Sequence, residues 1–431
     1  MTVSTTFTTS RLRQLFLAFM QTKGYRLIKP DFLICDAFPT TFTVSGGPNF
    51  ADDYLHKAES DSDNSVTIQH CIRHWDYDKV GDGLHLSFFE MGVTTAYNGY
   101  TQRQLFEHHL EFLCDVLGLP MERFFVTVFG GGKVRGREFP EDSETIATWR
   151  SLGLKDENVF IIPGEVPPEI SQRVRAEKGE DGVARESFVA NAVEPVGGPR
   201  TEIFFDTGRP GRCEPLCVPG FCNCGKFVEF WTSVHYVVHV TPSLSHSDRA
   251  GEMVLEFEPI KDAIYAAGFG LERTSQILLG KPSICEVQPL PDIASVFSAA
   301  GNAPIHPATR KHICAVVDHI RGLTFLLAEG VHQLSGKANR SRKYEYRRYV
   351  RSLFWHLQYL EAQGLHVSTG LIRRLVEKTL EVHLHEFPYK ELYYKDRIDT
   401  AKIVAELADR LERLRNELPC QGETGPYEEV R

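Results

Sequence analysis

The sequence contains no apolar run long enough to cross a membrane. Its most apolar stretch, Leu323–Ala328, is only six residues long, whereas a spanning helix needs about 20. The first residues also lack the apolar core of a secretory signal. We therefore expect a cytoplasmic protein that makes no membrane contact.

Cysteine is too sparse for a disulfide scaffold, with 10 in 431 residues. Without an export signal, this content predicts reduced thiols or metal ligands. Hydrophobic residues make up 42% and charged residues 24% of the chain. Both values are close to those of globular domains, which excludes disordered, collagen-like and coiled-coil proteins.

Negative charge is in excess but unevenly distributed. The net charge is −9, yet residues 309–431 hold 21 Lys and Arg against 17 Asp and Glu, and the remainder holds 27 against 40. An acidic front and a mildly basic back indicate two parts with different partners.

Hydrophobic spacing in the front part predicts an α+β fold. Apolar residues recur at helical spacing between Ser10 and Gly24 and over 102–117. Short apolar runs between turn residues predict strands at Arg26–Ile28, Phe32–Cys35, Thr40–Val44, Val66–Cys71, Leu84–Met91, Phe124–Phe129, Glu202–Phe205, Phe227–Val240 and Met253–Glu258. Several of these strands follow one another without a helical crossover, so we expect mostly antiparallel pairing.

The back part reads as entirely helical. Prolines cluster over 286–309, and helical spacing then predicts helices at His312–Glu329, Tyr344–Gln363, Gly370–His385 and Thr400–Leu418. We therefore predict an α+β domain at 1–286, a linker at 287–308 and a helical domain at 309–431.

The segment Gly268–Arg273 (GFGLER) leads into an apolar helix. Its two glycines would let the backbone approach a flat or anionic ligand. An arginine at a helix start can bind phosphate, because both its fork geometry and the helix dipole favour anions. The alternative is an ordinary strand-to-helix turn with a surface arginine.

Two further segments read as neighbouring strands joined by a polar loop: Cys71–Arg73 and His85–Met91. Arg73 would neutralise a phosphate, and Phe89 would stack under a base. The alternative is a hairpin with an aromatic core.

Four cysteines fall within twelve residues, at Cys213, Cys217, Cys222 and Cys224. Four thiolates suit a tetrahedral Zn²⁺ site. Their spacing matches no standard zinc module, so a cysteine-rich loop without metal is the alternative.

The segment Lys337–Arg351 contains seven basic residues in fifteen, with one acid and three interleaved tyrosines. This pattern is typical of a surface that contacts RNA phosphates; the alternative is a solvated helix face. The predicted RNA contacts are Lys337, Arg340, Arg342, Arg347 and Arg348.

Together, the Arg73–Phe89 pair and the GFGLER joint resemble motifs 2 and 3 of the class II aminoacyl-tRNA synthetases, and most closely the catalytic part of alanyl-tRNA synthetases. Further segments match that family in order, over residues from about 10 to about 360: Phe42–Phe50, Phe88–Met91, Gly198–Asp206, Phe227–Val234, Asp318–Arg321 and the stretch ending at Arg348. The resemblance implies an antiparallel class II sheet flanked by helices, followed by an all-helical domain.

The resemblance implies an ATP site with Mg²⁺. Arg73 matches the arginine on the α-phosphate, Phe89 the ring under adenine, Glu229 a carboxylate that holds Mg²⁺, and Arg273 the arginine on the γ-phosphate. The remaining residues of the implied ATP site are His85, Gly268 and Gly270. The implied reaction is attack of a carboxylate on the α-phosphorus, giving an acyl-adenylate and pyrophosphate, with Arg73, Glu229 and Arg273 as catalytic residues.

The implied acyl pocket departs from the family. Ala266 replaces the aspartate that binds the alanine ammonium, Thr232 replaces an asparagine, and Val189 aligns with a tryptophan; Val234 is retained, and Gly268 adjoins them. Loss of a charge-assisted hydrogen bond costs about 1.5–3 kcal/mol. Two explanations are open. Asp262 or another carboxylate binds the ammonium in place of the missing aspartate, or the activated acid is not alanine.

The acceptor region departs as well. Leu334–Gly336 replaces the segment that helps to read the tRNA acceptor stem, so the family's asparagine is absent or displaced to Asn339. The family's editing motifs are not found, and His383-x-His385 reads as a core or surface pair. We therefore expect a stand-alone paralogue without editing and C-terminal domains.

We expect this paralogue to activate alanine or a related small acid and to transfer it to a small-molecule acceptor in specialised metabolism. One alternative is a truncated enzyme that charges tRNA or a minihelix, and another is a non-catalytic RNA-binding paralogue. The oligomeric state stays open.

Overall fold

The computed structural model describes most of the chain. The described residues are 7–35, 40–46, 64–97, 99–162, 172, 187–190, 196–211, 217–221, 224–244, 253–299, 307–386, 394 and 397–418. Cys213, Cys222 and Gly47–Phe50, all singled out from the sequence, lie outside them.

A large, mostly antiparallel sheet forms the centre of the front part. Its strands, together with the small β5–β6 hairpin, are β1 (Arg26–Leu27), β2 (Ser65–Ile72), β3 (Phe88–Ala96), β4 (Phe124–Phe129), β5 (Gly132–Val134), β6 (Arg137–Phe139), β7 (Val159–Ile162), β8 (Phe188–Val189), β9 (Val196–Asp206), β10 (Phe227–Leu244) and β11 (Met253–Gly270). Among the described residues the order is β1-β2-β3-β11-β10-β9-β4-β7, with β8 on β9. Only β1–β2 and β4–β7 pair in parallel within this described sheet. The predicted α+β class is therefore confirmed.

Helices cover one side of the sheet and form the back part. They are α1 (Thr9–Thr22), α2 (Gln102–Leu110, continued by a π-helical turn at Glu111–Val116), α3 (Ser143–Ser151), α4 (Leu271–Leu278), α5 (Leu290–Ala299), α6 (Pro307–Ala328), α7 (Arg340–Ala362), α8 (Thr369–Glu386) and α9 (Thr400–Glu417). In α1, Leu12, Phe16 and Met20 are fully buried at helical spacing. The Thr8 hydroxyl caps this helix by accepting from the Arg11 amide at 3.1 Å.

Two predicted strands are wrong. Residues 32–35 and 40–44 form no strand, because their backbone groups bond elsewhere. The Glu329 carboxylate accepts from the amides of Leu33 (3.0 Å) and Ile34 (2.8 Å). The Thr43 amide donates to the Leu33 carbonyl at 2.9 Å. These segments bend instead of continuing as strands, and they are held by a carboxylate and by each other.

Helix α5 lies within the segment predicted to be a linker. Pro291 is accommodated in its first turn, where an amide has no helical partner. Leu290, Ile293, Val296 and Phe297 are buried, and the helix packs against α6 and α8. The proline cluster therefore marks a helix start here, whereas the domain boundaries themselves stay a prediction.

Buried polar contacts join the helical part to strand β3. Asp318 on α6 accepts from the amides of Ser87 and Phe88, both at 3.1 Å, and from the Ser87 hydroxyl. Arg321, one turn later, donates to the Phe88 carbonyl at 3.2 Å. Because Asp318 and Arg321 are fully buried, helix α6 fixes the start of β3 with charged groups shielded from water.

A disulfide makes a second connection between the two parts. Cys285, in the turn after α4, is bonded to Cys314 on α6, with Cα atoms 5.7 Å apart. The prediction of reduced thiols is wrong for this pair, because the fold brings together two cysteines 29 residues apart. No helix of the described residues is long and apolar enough to span a membrane.

Candidate functional site

A cavity opens at the ends of β3, β10 and β11. It is partly open to solvent. The residues around it are Arg73, Asp76, Leu84, His85, Leu86, Phe89, Met91, Glu229, Phe230, Gly270, Glu272, Arg273 and Ile284. Six of the seven residues predicted for an ATP site are among them, and the seventh, Gly268, lies two residues before Gly270 on β11.

Arg73 and Phe89 meet across the hairpin formed by β2 and β3. Cys71 pairs with Phe89 in the antiparallel register, so the loop that follows β2 returns beside that ring. The Arg73 amide donates to the Ser87 carbonyl at 2.9 Å. The guanidinium carbon of Arg73 lies 4.9 Å from the Phe89 ring centroid, a cation–π distance. A positive charge and an aromatic face therefore share one wall of the cavity.

Arg273 lies on the first turn of α4, directly after β11 ends at Gly270. Its guanidinium donates to the Glu229 carboxylate at 2.8 Å and to the Glu229 backbone carbonyl at 2.9 Å. The Arg273 side chain is 20% exposed and that of Glu229 34%. The predicted strand-to-helix joint is thus present, and it sets an opposite-charge pair at the cavity edge.

His85 is oriented by Asp82. The ring Nδ1 lies 2.6 Å from the Asp82 carboxylate, which also accepts from the amides of Leu84 and His85. Burial raises the pKa of Asp82, but the His85 hydrogen bond and charge lower it further, so the net shift is downward. An ionised Asp82 keeps the proton on Nδ1 and leaves the other ring nitrogen for the cavity.

Glu272 holds the helix turn that carries Arg273 in place. Its carboxylate, 1% exposed, accepts from Arg321 at 2.7 Å and from the Glu90 amide at 3.1 Å. Burial raises the pKa of Glu272, and the Arg321 charge opposes that shift. Glu272 thus ties the first turn of α4, which carries Arg273, to both β3 and helix α6.

The predicted acyl-pocket residues lie side by side on the sheet. In the register of β10 with β11, Thr232 is opposite Gly268 and Val234 is opposite Ala266. Val189 on β8 belongs to the same apolar cluster as Val234 and Ala266. The side chain of Asp262, the suggested substitute carboxylate, lies outside the described residues.

Part of the cysteine cluster can be described. The sulfur atoms of Cys217 and Cys224 lie 3.4 Å apart, whereas Cys213 and Cys222 lie outside the described residues. Zinc–sulfur bonds of about 2.3 Å in a tetrahedron place two sulfurs about 3.8 Å apart. The two sulfurs are thus about 0.4 Å closer than two ligands of one zinc ion, and they are close enough for a thiol–thiol hydrogen bond.

The basic segment divides into outward and inward residues. Lys337, Arg340 and Arg347 are exposed. Arg342 is buried and donates to the carbonyls of Thr41 (3.1 Å) and Cys35 (2.6 Å). Arg348 is half-buried and pairs with Glu345 at 3.0 Å. Arg342 therefore binds the protein's own backbone and does not lie on the exposed surface of the segment.

Sequence reasoning missed the residues that position the site. Asp82 carries no motif signal of its own. Glu272 and Arg321 fall within segments that match the family, but the partners of Arg321 lie 49 and 233 residues away in the chain, and neither residue was given a role. Glu272 was visible within GFGLER, beside the arginine that was predicted. Its burial follows from the helical stripe it shares with Ser275 and Gln276, both also buried.

Comparisons with known proteins agree with this geometry. The family model of the tRNA synthetases class II (A) matches residues 11–407. The alanine–tRNA ligase of Treponema denticola is 30% identical over 366 residues, covering 84% of this chain and 55% of that ligase. The alanine–tRNA ligase of Thermoanaerobacter sp. strain X514 is 26% identical, covering 96% of this chain and 43% of the ligase.

This chain therefore spans about half the length of these curated relatives. Among solved structures, the apo histidyl-tRNA synthetase of S. aureus matches with a TM-score of 0.34 at 8% identity, over 65% of this chain and 68% of that one, which is too distant to carry an argument. The family model, in contrast, extends over both the sheet and the helical part. The protein belongs to the class II (A) tRNA synthetases.

Proposed function

We propose that this protein is an ATP-dependent ligase that activates a carboxylic acid as an acyl-adenylate. The observation that carries the proposal is the convergence of Arg73, Phe89, Glu229 and Arg273 on one cavity. These residues come from three separate stretches of the chain, and a structural role alone would not require them to meet around open space.

Each residue has a distinct part in the proposed reaction. Arg73 neutralises the α-phosphate as the acid attacks, and Phe89 stacks on the base. Arg273 binds the terminal phosphate, exchanging its present contact with Glu229 for the triphosphate. His85, held by Asp82, presents its second ring nitrogen to the cavity. Such positioning and charge neutralisation suffice for this reaction, which needs no covalent step on the protein.

The donor set also suits a magnesium ion. The Glu229 carboxylate is one-third exposed at the cavity edge, and Mg²⁺ binds through one or two carboxylates together with phosphate oxygens. When bound, the ion would neutralise phosphate charge. Glu229 is the side chain we assign to hold it.

We propose a structural zinc ion at Cys213, Cys217, Cys222 and Cys224. The 3.4 Å approach of Cys217 and Cys224 supports this assignment. Metal analysis of protein purified without chelator should then find about one zinc per chain. Its absence would assign the cluster to a metal-free loop.

For the acceptor, we propose a small molecule rather than tRNA. Two features support it: the acyl pocket lacks the family's ammonium-binding aspartate, and Arg342 in the basic segment is engaged by backbone carbonyls. Charging of tRNA is the second candidate, favoured by the exposed Lys337, Arg340 and Arg347 and by the activity printed in the names of the relatives.

ATP–pyrophosphate exchange with a panel of acids tests the activation step. At least one acid should support exchange by the wild type. Arg73→Ala should lower the rate about 10²–10³-fold, because it removes a preorganised charge partner of the α-phosphate. Arg150→Ala is the matched control, since Arg150 is exposed and pairs only with Asp156 among the described salt bridges. Wild-type exchange by Arg73→Ala would contradict the assignment.

The acceptor is tested by transfer of radiolabelled acid to total tRNA. We expect little RNase-sensitive label and no change on substituting Arg347, an exposed member of the basic segment. Efficient labelling of tRNA, reduced in Arg347→Ala and at high salt, would establish the second candidate instead.

A further inference from the structure

Two charged residues, Arg200 and Glu202, lie beside the acyl pocket on strand β9. In the antiparallel register of β9 with β10, Glu202 is opposite Thr232 and Arg200 is opposite Val234. Directly opposed residues project from the same face of a sheet, with Cβ atoms about 5 Å apart. Both charged side chains therefore stand on the sheet face that carries the pocket.

These side chains are accessible yet partly removed from water. The Arg200 side chain is 22% exposed and that of Glu202 16%, and Nη2 of Arg200 lies 3.3 Å from Oε1 of Glu202. Charges in such a partly desolvated position interact more strongly than on the open surface. A ligand with both a cationic and an anionic group can pair with both side chains.

Glu202 and Arg200 lie at different distances from the ATP cavity. Phe204 on β9 is opposite Glu229, so Glu202 is nearer to the cavity and Arg200 is two residues farther along the strand, about 7 Å. In an α-amino acid the ammonium is one carbon from the reacting carboxylate, and the side-chain terminus is more distant. Glu202 is thus placed for an ammonium and Arg200 for a distal group.

The pocket residues themselves supply no charge. Val189, Thr232, Val234, Ala266 and Gly268 contain no carboxylate, so an ammonium bound there pairs with a carboxylate outside this set. Glu202 is one that the strand register places directly beside it, opposite Thr232. The two strands also run close together farther along, where a Cβ at Gly198 would lie 1.8 Å from the His235 carbonyl oxygen on β10. The pairing of β9 with β10 therefore places Glu202 and Arg200 next to Thr232 and Val234.

We infer that the activated acid is an α-amino acid with an acidic side chain. Glu202 binds its ammonium group and Arg200 binds its side-chain carboxylate. This inference rests on the proposed adenylate formation, and it names the substrate class of the same site.

Pyrophosphate exchange with matched pairs of amino acids provides the test. The panel is aspartate, glutamate and 2-aminoadipate against asparagine, glutamine and alanine. At least one acidic amino acid should exceed its amide and alanine by 10-fold or more in kcat/KM. This comparison uses the wild type alone, so it does not depend on whether a variant folds.

Variants then assign the two charges. Arg200→Met keeps the side-chain length and should lower kcat/KM for the acidic amino acid roughly 10–100-fold, the loss of one charge-assisted bond, with little change for neutral amino acids. Arg200→Lys should restore part of the loss. Glu202→Gln should lower exchange with every amino acid of the panel. Arg103→Met, on the exposed face of α2, is the control.

The outcomes separate the inference from the proposed function. Exchange that prefers a neutral amino acid and is unchanged in Arg200→Met overturns the inference and leaves adenylate formation standing; the Arg200–Glu202 pair is then purely structural. Absence of exchange with every acid, with and without tRNA, contradicts the proposed function and the inference together.

Discussion

The two faces of strand β3 have opposite environments although their residues alternate along one chain. Phe89 and Met91 lie on the side that faces the cavity, the open face. Phe88 and Glu90, their immediate neighbours, lie on the other side, the closed face, and are completely buried. A one-residue alternation thus separates residues that can meet a ligand from residues that hold the strand in place.

The closed face is charged, and each of its carboxylates pairs with an arginine. Arg13 on α1 contacts Glu90 at 2.5 Å, and Arg321 on α6 contacts Glu272 at 2.7 Å. Burial lowers the pKa values of His70 and His383, which lie beside Glu90. These histidines are therefore neutral at ordinary pH. The comparison teaches that charge on the open face is available for chemistry, whereas charge on the closed face fixes geometry.

The largest effect on the free energy of unfolding should come from removing a buried charge on the closed face. Arg321→Met leaves Glu272 and the Phe88 carbonyl without their buried donor, and removal of one partner of a buried pair typically costs 3–5 kcal/mol. Urea unfolding should show a loss of about that size. Arg347→Met, on the exposed face of α7, should change stability by less than about 0.5 kcal/mol. Equal stability of the two variants would contradict the distinction between the faces.

Gly92 and Gly270 test the difference between the two faces with one added methyl group each. A Cβ at Gly92 would lie 3.0 Å from the Phe16 ring and 3.1 Å from the Phe269 ring. Gly92→Ala should therefore destabilise by about 1–3 kcal/mol through overpacking. A Cβ at Gly270 would meet only the Arg273 Cβ, at 3.8 Å.

Gly270→Ala should accordingly leave the thermal midpoint within about 1–2 °C of the wild type and instead raise the KM for ATP, because Gly270 lines the cavity. Thermal unfolding and exchange kinetics of the two variants check this pair of expectations. A stable Gly92→Ala protein would show that the closed face can relax around an added methyl group.

A pH effect of smaller size should arise where the helical part meets the segment before β2. Burial raises the pKa of Glu329 to about 7, despite the donors Leu33, Ile34 and Tyr394. The folded chain therefore binds a proton that the unfolded chain releases between the ordinary carboxyl pKa near 4.5 and about 7. Stability should fall as pH rises through that window and then stay level.

Glu329→Gln should remove this slope, which is on the order of 1–3 kcal/mol across the window. Thermal midpoints of the wild type and the variant between pH 4.5 and 8 measure it. A wild-type slope that survives in the variant would assign the titration to another group.

Contiguous motifs were predictable from the sequence. The joint at Gly268–Arg273 combines a strand end, a helix start and an arginine within six residues, so its geometry is local. Arg73 and Phe89 were predictable because a hairpin brings nearby segments together. These segments occur in the same order along the chain as in the family they resemble, and the class II (A) match confirms the resemblance.

Long-range contacts were not predictable in the same way. Arg321 meets Glu272 and the Phe88 carbonyl across 49 and 233 residues, and no local pattern selects such partners. The inward position of Arg342, in contrast, was available from helical periodicity. It shares a stripe with Glu345, Tyr346 and Tyr349, all buried, so the basic segment was amphipathic rather than uniformly exposed.

The most direct test measures exchange and stability together in Arg273→Met. Arg273 is on the open face, so its loss should lower pyrophosphate exchange about 10²–10³-fold and leave the urea midpoint close to that of the wild type. Loss of exchange with an unchanged fold is the result that this account predicts. Exchange at the wild-type rate, or loss of exchange only in step with unfolding, would contradict the assignment of this cavity as an adenylate-forming site.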